Sequence, residues 1–369
     1  MTGPASPVTD SADVALLLIG VRTPLAIDEM RWERLLRIGR VAGLHGRLAT
    51  ANLANPELPP PVRRHLLSSA RVAAFRCQML RAELFHLARL CSNDFPVILL
   101  KGSAYVLQRR RMAEGRFVSD VDLLVPREQL RIMEDRLKAA GWQAQKLDAY
   151  DERYYRDWSH ETPPLRYPGR TLEVDLHHAI TPVTGRRAFD PATLFDRSEP
   201  IPGTPFHALC AEDQVLHASL HCFNDGDLEL RVREVVDIDG LIREYADRPG
   251  FWDRLGQRAT ELGLERPLWY GLHYARQWLA CPVPVSATAE LKQPPALHRR
   301  LMDMLVPLAM LPPSPDHPPG LKVKCARVLM LARHHLLRMP PHMLAPHLTR
   351  KSLRRMRAHF GGNPEAGSA

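Results

Sequence analysis

A chain of 369 residues, 45% hydrophobic and 25% charged, has the make-up of a soluble globular protein and room for one large domain or two to three smaller ones. No run approaches the ~18 apolar residues of a membrane helix, no basic start leads into an apolar stretch, and none of the six cysteines forms a CxxC pair. Neither membrane spanning nor secretion is indicated, the cysteines show no metal-ligand spacing and read as reduced, mostly buried thiols in a cytoplasmic protein, and a net charge of +9 with a pI near 9.5 suits a phosphate-rich substrate or partner while also serving solubility.

Residues 1–10 are small and proline-containing, which predicts disorder. From Ser11 to Thr50, Leu16, Leu17 and Leu18, then Leu35, Leu36, Ile38, Val41 and Leu44, recur at helical spacing. A stiff break, NPELPPP, runs from Asn55 to Pro61, and Arg63 to Leu90 then reads as one long amphipathic helix. This N-terminal third reads as scaffold.

The chemistry begins at Val97-Ile98-Leu99-Leu100, an apolar run too short for a helix and bounded by glycine, hence a buried strand. Lys101-Gly102-Ser103 follows as a turn, with Gly102 supplying the unusual backbone and Ser103 capping a helix from Ala104. A strand, a small-residue turn and a helix start make an anion site. In the next strand, Ser119-Asp120-Val121-Asp122-Leu123-Leu124-Val125, alternation puts Asp120 and Asp122 on one face. Two adjacent carboxylates repel, and a divalent cation resolves that repulsion.

Arg127 to Ala140 reads as a helix stopped at Gly141, and Trp142 to Lys146 as a short strand. Asp148 to Pro164 is rich in Tyr, Trp, Asp and Arg, a composition for either a cleft border or a packed surface loop. Leu172 to Leu176 reads as a strand with Glu173, Asp175 and His177 on one face, and Thr181 to Pro205 as a crossing linker. Helices follow at Ala211 to Asn224, Leu228 to Tyr245, Phe251 to Leu262 and Arg266 to Leu279, ended by Cys281-Pro282-Val283-Pro284. The first carries His217 and His221 on one face, as metal ligands, cleft lining or core; the second allows an Arg233–Asp237 pair. After a second break, Pro312 to Gly320, the residues Lys322, Lys324, Arg327, Arg333, Arg338, Arg350, Lys351, Arg354, Arg355 and Arg357 face almost no acidic residue. Such a tail suits a nucleic-acid backbone, a neighbouring helix or an anionic membrane surface, and the ending GGNPEAGSA reads as loose.

Gly102-Ser103 after one strand and Asp120-Val121-Asp122 on the next resemble the signature of the nucleotidyltransferase superfamily that includes DNA polymerase beta. More narrowly, LLKGSA, Arg116, SDVDLLV and then Glu173-Val174-Asp175-Leu176-His177 resemble a bacterial family of nucleotidyltransferases with largely unassigned substrates. Arg31-Trp32-Glu33-Arg34-Leu35-Leu36, Glu212-Asp213-Gln214-Val215-Leu216-His217 and Asp237 extend that likeness to about residue 280. A lone DxD is weak, since glycosyltransferases hold Mn²⁺ and a nucleotide sugar with the same pair; the ordered combination of turn and two strands is what favours this family.

The resemblance implies an α+β fold: a small mixed β-sheet nucleotidyltransferase core with flanking helices, an N-terminal helical segment and a C-terminal helical bundle. The parts fall at 1–90, 91–205, 206–310 and 311–369, the last a basic helical tail. It implies catalysis and metal binding by Asp120, Asp122 and Asp175, the last matching the family's third carboxylate with Glu173 as fallback. Two Mg²⁺ ions, with Mn²⁺ as a substitute, would sit there. Lys101, Gly102, Ser103 and Arg116 would bind the nucleotide, ATP or another NTP, although Lys101 and Arg116 read equally well as structural partners of a carboxylate. The implied reaction moves a nucleoside monophosphate from NTP to an unidentified acceptor hydroxyl and releases pyrophosphate. The alternatives are a nucleotide-binding pseudoenzyme and a basic nucleic-acid or partner-binding protein.

Overall fold

The computed structural model describes residues 11–92, 94–145, 160–181, 189–224 and 228–338. The disordered start expected at 1–10, the basic positions from Arg350 to Arg357 and the GGNPEAGSA ending lie outside the described residues, as do Lys146 at the end of the expected short strand, 148–159 of the tyrosine-rich stretch and 182–188 of the linker.

Four helices precede the sheet: α1 (Ser11–Gly20), α2 (Glu29–Val41), α3 (His45–Asn52) and α4 (Pro60–Ala88). Asp28 caps α2, its carboxylate accepting from the Arg31 backbone N–H at 2.8 Å, and Trp32, Leu35 and Ile38 give that helix a buried stripe. Prolines open α4, where a fixed φ and a missing N–H are no handicap. Gly46 of α3 lies so close to the Gly115 carbonyl that a Cβ would sit 2.3 Å from that oxygen, and this approach brings α3 against the chain leading into the second strand.

The sheet is mixed, in the order β3-β4-β5-β2-β1-β7-β6. Its strands are β1 (Val97–Leu99), β2 (Asp120–Leu124), β3 (Gln143–Ala144), β4 (Leu165–Arg166), β5 (Glu173–His177), β6 (Glu199–Pro200) and β7 (Phe206–Ala208). At its centre β2 runs antiparallel to β1 and parallel to β5, while β1 runs parallel to β7. Helix α5 (Lys101–Leu107) follows β1, and α6 (Leu130–Ala139) follows β2 through the turn Arg127–Gln129. The linker expected over 181–205 is more structured than its prolines suggested, holding α7 (Ala192–Phe195) and β6. Strand β7 has no alternation to betray it, being three residues long directly after Pro205.

The remaining helices are α8 (Ala211–Asn224), α9 (Val232–Tyr245), α10 (Phe251–Glu261), α11 (Glu265–Leu279), α12 (Val285–Ala289), α13 (Ala296–Met310) and α14 (Leu321–Arg338). Helix α8 is buried on nearly every side, and its Asp213 takes a bidentate pair from Arg258 of α10 at 2.8 and 3.0 Å. The buried apolar cluster reaches from Val14 to Met330, so the four sequence segments share one core among the described residues; their division stands as a proposal. Basic helix α14 packs on this body by Ala326 and Met330. Arg327 reaches Glu229 at 2.5 Å and Arg333 donates to the Phe223 carbonyl at 2.7 Å, so these two of the ten basic positions meet protein partners, the first of them acidic. Among the described residues no helix is long and apolar enough to cross a membrane.

All six cysteines are free thiols. Burial pushes Cys91 up to about 11 and Cys210 up to about 12, and Cys222 and Cys281 are buried as well, whereas Cys325 is exposed on α14. Thiolate is the reactive form. A thiol-labelling time course at neutral pH is expected to modify Cys325 first and the buried thiols only in denaturant; rapid modification of several sites in the folded protein would contradict this packing.

Candidate active site

Parallel pairing of β2 with β5 sets Asp120 opposite Glu173, Asp122 opposite Asp175 and Leu124 opposite His177. Strand alternation then turns Asp120, Asp122 and Asp175 to one face, where their carboxylate oxygens lie within 4.8 Å of one another. Glu173 is on the same face but pairs with Arg166 of the adjacent β4, so the fallback carboxylate is otherwise engaged.

Asp122 is the most heavily supported of the three. Lys101 Nζ and His177 Nε2 both lie 3.1 Å from its Oδ1. Burial alone would raise this carboxyl, but the Lys101 ammonium and then the His177 ring hold it well below the usual carboxylate range. His177 responds in kind: burial favours its neutral form, and the bond to Asp122 overcomes that and raises it. Among the described residues no cation is hydrogen-bonded to Asp175. Burial first, and the Asp122 charge second, push its carboxyl up to about 7, the His177 ring lowering it only in part, and its buried Oδ1 has no hydrogen-bond partner. The donor set is all oxygen and crowded with negative charge, which fits Mg²⁺ or Mn²⁺.

A carboxyl raised above its unfolded value of about 3.9 contributes fully below that pH, and the contribution is lost as pH rises through about 7. Asp175→Asn is therefore expected to match the native protein in thermal stability near pH 4 and to exceed it by about 2–4 kcal/mol at pH 8 without divalent ions. Added Mg²⁺ should close that gap by stabilising only the native protein. Melting curves across pH with and without Mg²⁺ check this; a gap that does not widen with pH would refute it.

The turn before the acidic strand departs from expectation. Helix α5 starts at Lys101, whose φ of 46° lies in the left-handed region, a conformation costing about 1–2 kcal/mol for a residue with a Cβ. Ser103 does not cap the helix: it is fully buried, and its hydroxyl donates only weakly to the Asp120 carbonyl at 3.5 Å. Gly102 is required for a different reason, since a Cβ there would lie 2.3 Å from Nη1 of Arg116.

Arg116 itself is buried and donates through Nε to Asp237 of α9 at 3.0 Å, and Arg47 of α3 contacts the other oxygen of the same carboxylate. Of its two readings, the structural pair is the one observed. Arg233, expected to pair with Asp237 one helical turn away, instead reaches the Phe117 carbonyl at 3.4 Å. On the α8 and α9 side, His221 Nδ1 lies 3.1 Å from Glu234, and burial first, with the Lys101 charge second, leaves His217 neutral. His217 and His221 join no cluster of three ligating side chains among the described residues. Sequence reasoning missed the roles of His177, Arg47 and Glu234; for His177 the available signal was its place on the Asp175 face.

The carboxylates of Asp120, Asp122 and Asp175 thus cluster on paired strands of a mixed sheet, beside a strand-to-helix turn, as a group that could hold a metal ion. Residues 28–280 match the model of a family described as uncharacterised nucleotidyltransferase, and the chain belongs to that family. Among solved structures, JHP933 from Helicobacter pylori is similar over 77% of this chain and 97% of its own, with 15% identity and a TM-score of 0.29. An antigenic nucleotidyltransferase-like protein from Paracoccidioides brasiliensis is similar over 60% of this chain and 95% of its own, with 13% identity and a TM-score of 0.27. No curated protein matches.

Proposed function

We propose that this protein transfers a nucleoside monophosphate from an NTP to an acceptor hydroxyl and releases pyrophosphate. The observation that carries the proposal is the register of Asp122 opposite Asp175, which completes the Asp120 and Asp122 pair from a neighbouring strand. Asp120, Asp122 and Asp175 would hold the divalent cations, the last through an oxygen that now has no partner. Bound there, Mg²⁺ would offset the triphosphate charge and lower the pKa of the acceptor hydroxyl.

Lys101, whose ammonium lies 3.1 Å from Asp122 Oδ1, is assigned to the phosphate oxygens, where it offsets charge gathering on the leaving pyrophosphate. The first turn of α5 has no side-chain cap, so the backbone N–H groups of Gly102 and Ser103 are assigned to the phosphates as well. Arg116, engaged by Asp237, is assigned to holding α9 against the entry to β2. Asp175 is the carboxylate available to take the acceptor's proton.

The test is incubation of the purified protein with cell extract, Mg²⁺ and each NTP in turn, followed by a mass-spectrometric search for a nucleotidylated product. A product that forms only with divalent cation and intact Asp120 supports the proposal. Tight NTP binding with no product under any condition would favour a pseudoenzyme.

A further inference from the structure

A second group of ligating side chains lies beside the acidic triad. We propose that His160, Glu161 and His177 form a cation site for a borderline-soft ion such as Zn²⁺, with His177 also bonded to Asp122 of the acidic triad. The backbone builds it: Glu161 forms an antiparallel bridge with His177, the His178 N–H donates to the His160 carbonyl at 2.9 Å, and the Thr162 N–H donates to the Leu176 carbonyl at 2.8 Å. These contacts bring one ligating atom from each of the three side chains within 4.8 Å of the others. The His160 and His177 rings lie 5.6 Å apart, and both residues are more than nine-tenths buried.

The chemistry of the donors separates this site from its neighbour. Two imidazoles and one carboxylate are the set that three-ligand zinc sites use, with a fourth position open, whereas the triad offers only carboxylate oxygen. His177 supplies the independent observation. It is 4% exposed, its Nδ1 has no hydrogen-bond partner, and that nitrogen faces Glu161 Oε2 at 3.6 Å. Its other nitrogen, Nε2, lies 3.1 Å from Asp122. A metal-ligating histidine characteristically donates its second ring N–H to a carboxylate, which fixes the tautomer and orients the ring. Asp122 occupies that position here.

Occupancy of the histidine site would hold His177 as a donor toward Asp122 and so link the two sites energetically. The proposal stands whether or not the triad transfers nucleotides, because its readout is cation binding alone. Tag-free full-length protein is stripped with chelator and dialysed against Zn²⁺, with Co²⁺ as a spectroscopic probe. One bound equivalent of Zn²⁺ is expected, together with a Co²⁺ spectrum of nitrogen and oxygen ligation. His160→Gln and Glu161→Gln should each weaken Zn²⁺ binding by about tenfold or more, while Cys325→Ser, at the exposed thiol on α14, leaves it unchanged. Melting curves establish that each variant is folded, and the Co²⁺ spectrum of the native protein tests the site independently of any variant. Failure of the native protein to retain Zn²⁺, unchanged affinity in both substitutions, equal weakening by Cys325→Ser, or a thiolate charge-transfer band would each overturn the assignment.

Discussion

Asp122→Asn is expected to reduce divalent-dependent nucleotidyl transfer by about three orders of magnitude or more, which corresponds to about 4 kcal/mol of transition-state stabilisation. The side chain that asparagine replaces is the central acid of the triad, with Lys101 and His177 both on its Oδ1. Asparagine keeps the shape and an oxygen that can still accept from both donors, but it removes the charge that the cations need. Lys101 is then a cation beside a neutral amide, and its repulsion opposes a divalent ion further, while His177 loses the charge that had raised it. Label incorporation from radioactive NTP measures the loss, and circular dichroism with a melting curve checks that the fold survives. Undiminished transfer in a folded Asp122→Asn protein would remove the triad from the mechanism.

Asp237→Ala should cost about 3–5 kcal/mol of stability, because it strands two buried guanidinium groups without their counter-charge. Arg47 comes from α3, Arg116 from the approach to β2 and Asp237 from α9, and each is less than a tenth exposed. The same carboxylate therefore ties the N-terminal helices, the sheet and the C-terminal helices together. Burial would raise it, but Arg116 and Arg47 hold it below its ordinary range, so the pair is ionised at neutral pH. Urea unfolding followed by circular dichroism reads the effect as a lowered midpoint. Arg233→Ala is the control, since Arg233 donates to the Phe117 carbonyl and acts on Asp237 through its field without a hydrogen bond to it, and it should cost no more than about 1 kcal/mol. Equal losses in the two variants would show that Asp237 is not the shared anchor.

The acidic strand was legible in the sequence because alternation alone dictates which face Asp120 and Asp122 take. Nothing in either strand, however, says that residues 120–124 and 173–177 are neighbours in parallel register; that depended on resemblance to a family. Local rules misled where distant residues competed. The nearest cation to Asp237 in sequence is Arg233 one turn away, and a helix-pair rule selects it, yet Arg47 and Arg116 arrive through folding and take both oxygens. The turn at Lys101 follows the same logic. Glycine is the natural choice for a left-handed backbone, but Gly102 is needed where Arg116 crosses it, and the strained conformation falls on Lys101. The short strands β4, β6 and β7 carry too few residues for any periodicity to register.

The order of the strands also constrains how the protein is born. Strand β1 emerges early, yet one of its neighbours is formed by residues 206–208, and the partner of the acidic strand is formed by residues 173–177. During synthesis a nascent chain thus exposes one side of β1 until more than half of the polypeptide has left the ribosome. Such long-range pairing is slow and leaves an open sheet edge that attracts other chains. Chaperone occupancy on translating ribosomes should accordingly peak before residue 208 clears the exit tunnel and fall once it has.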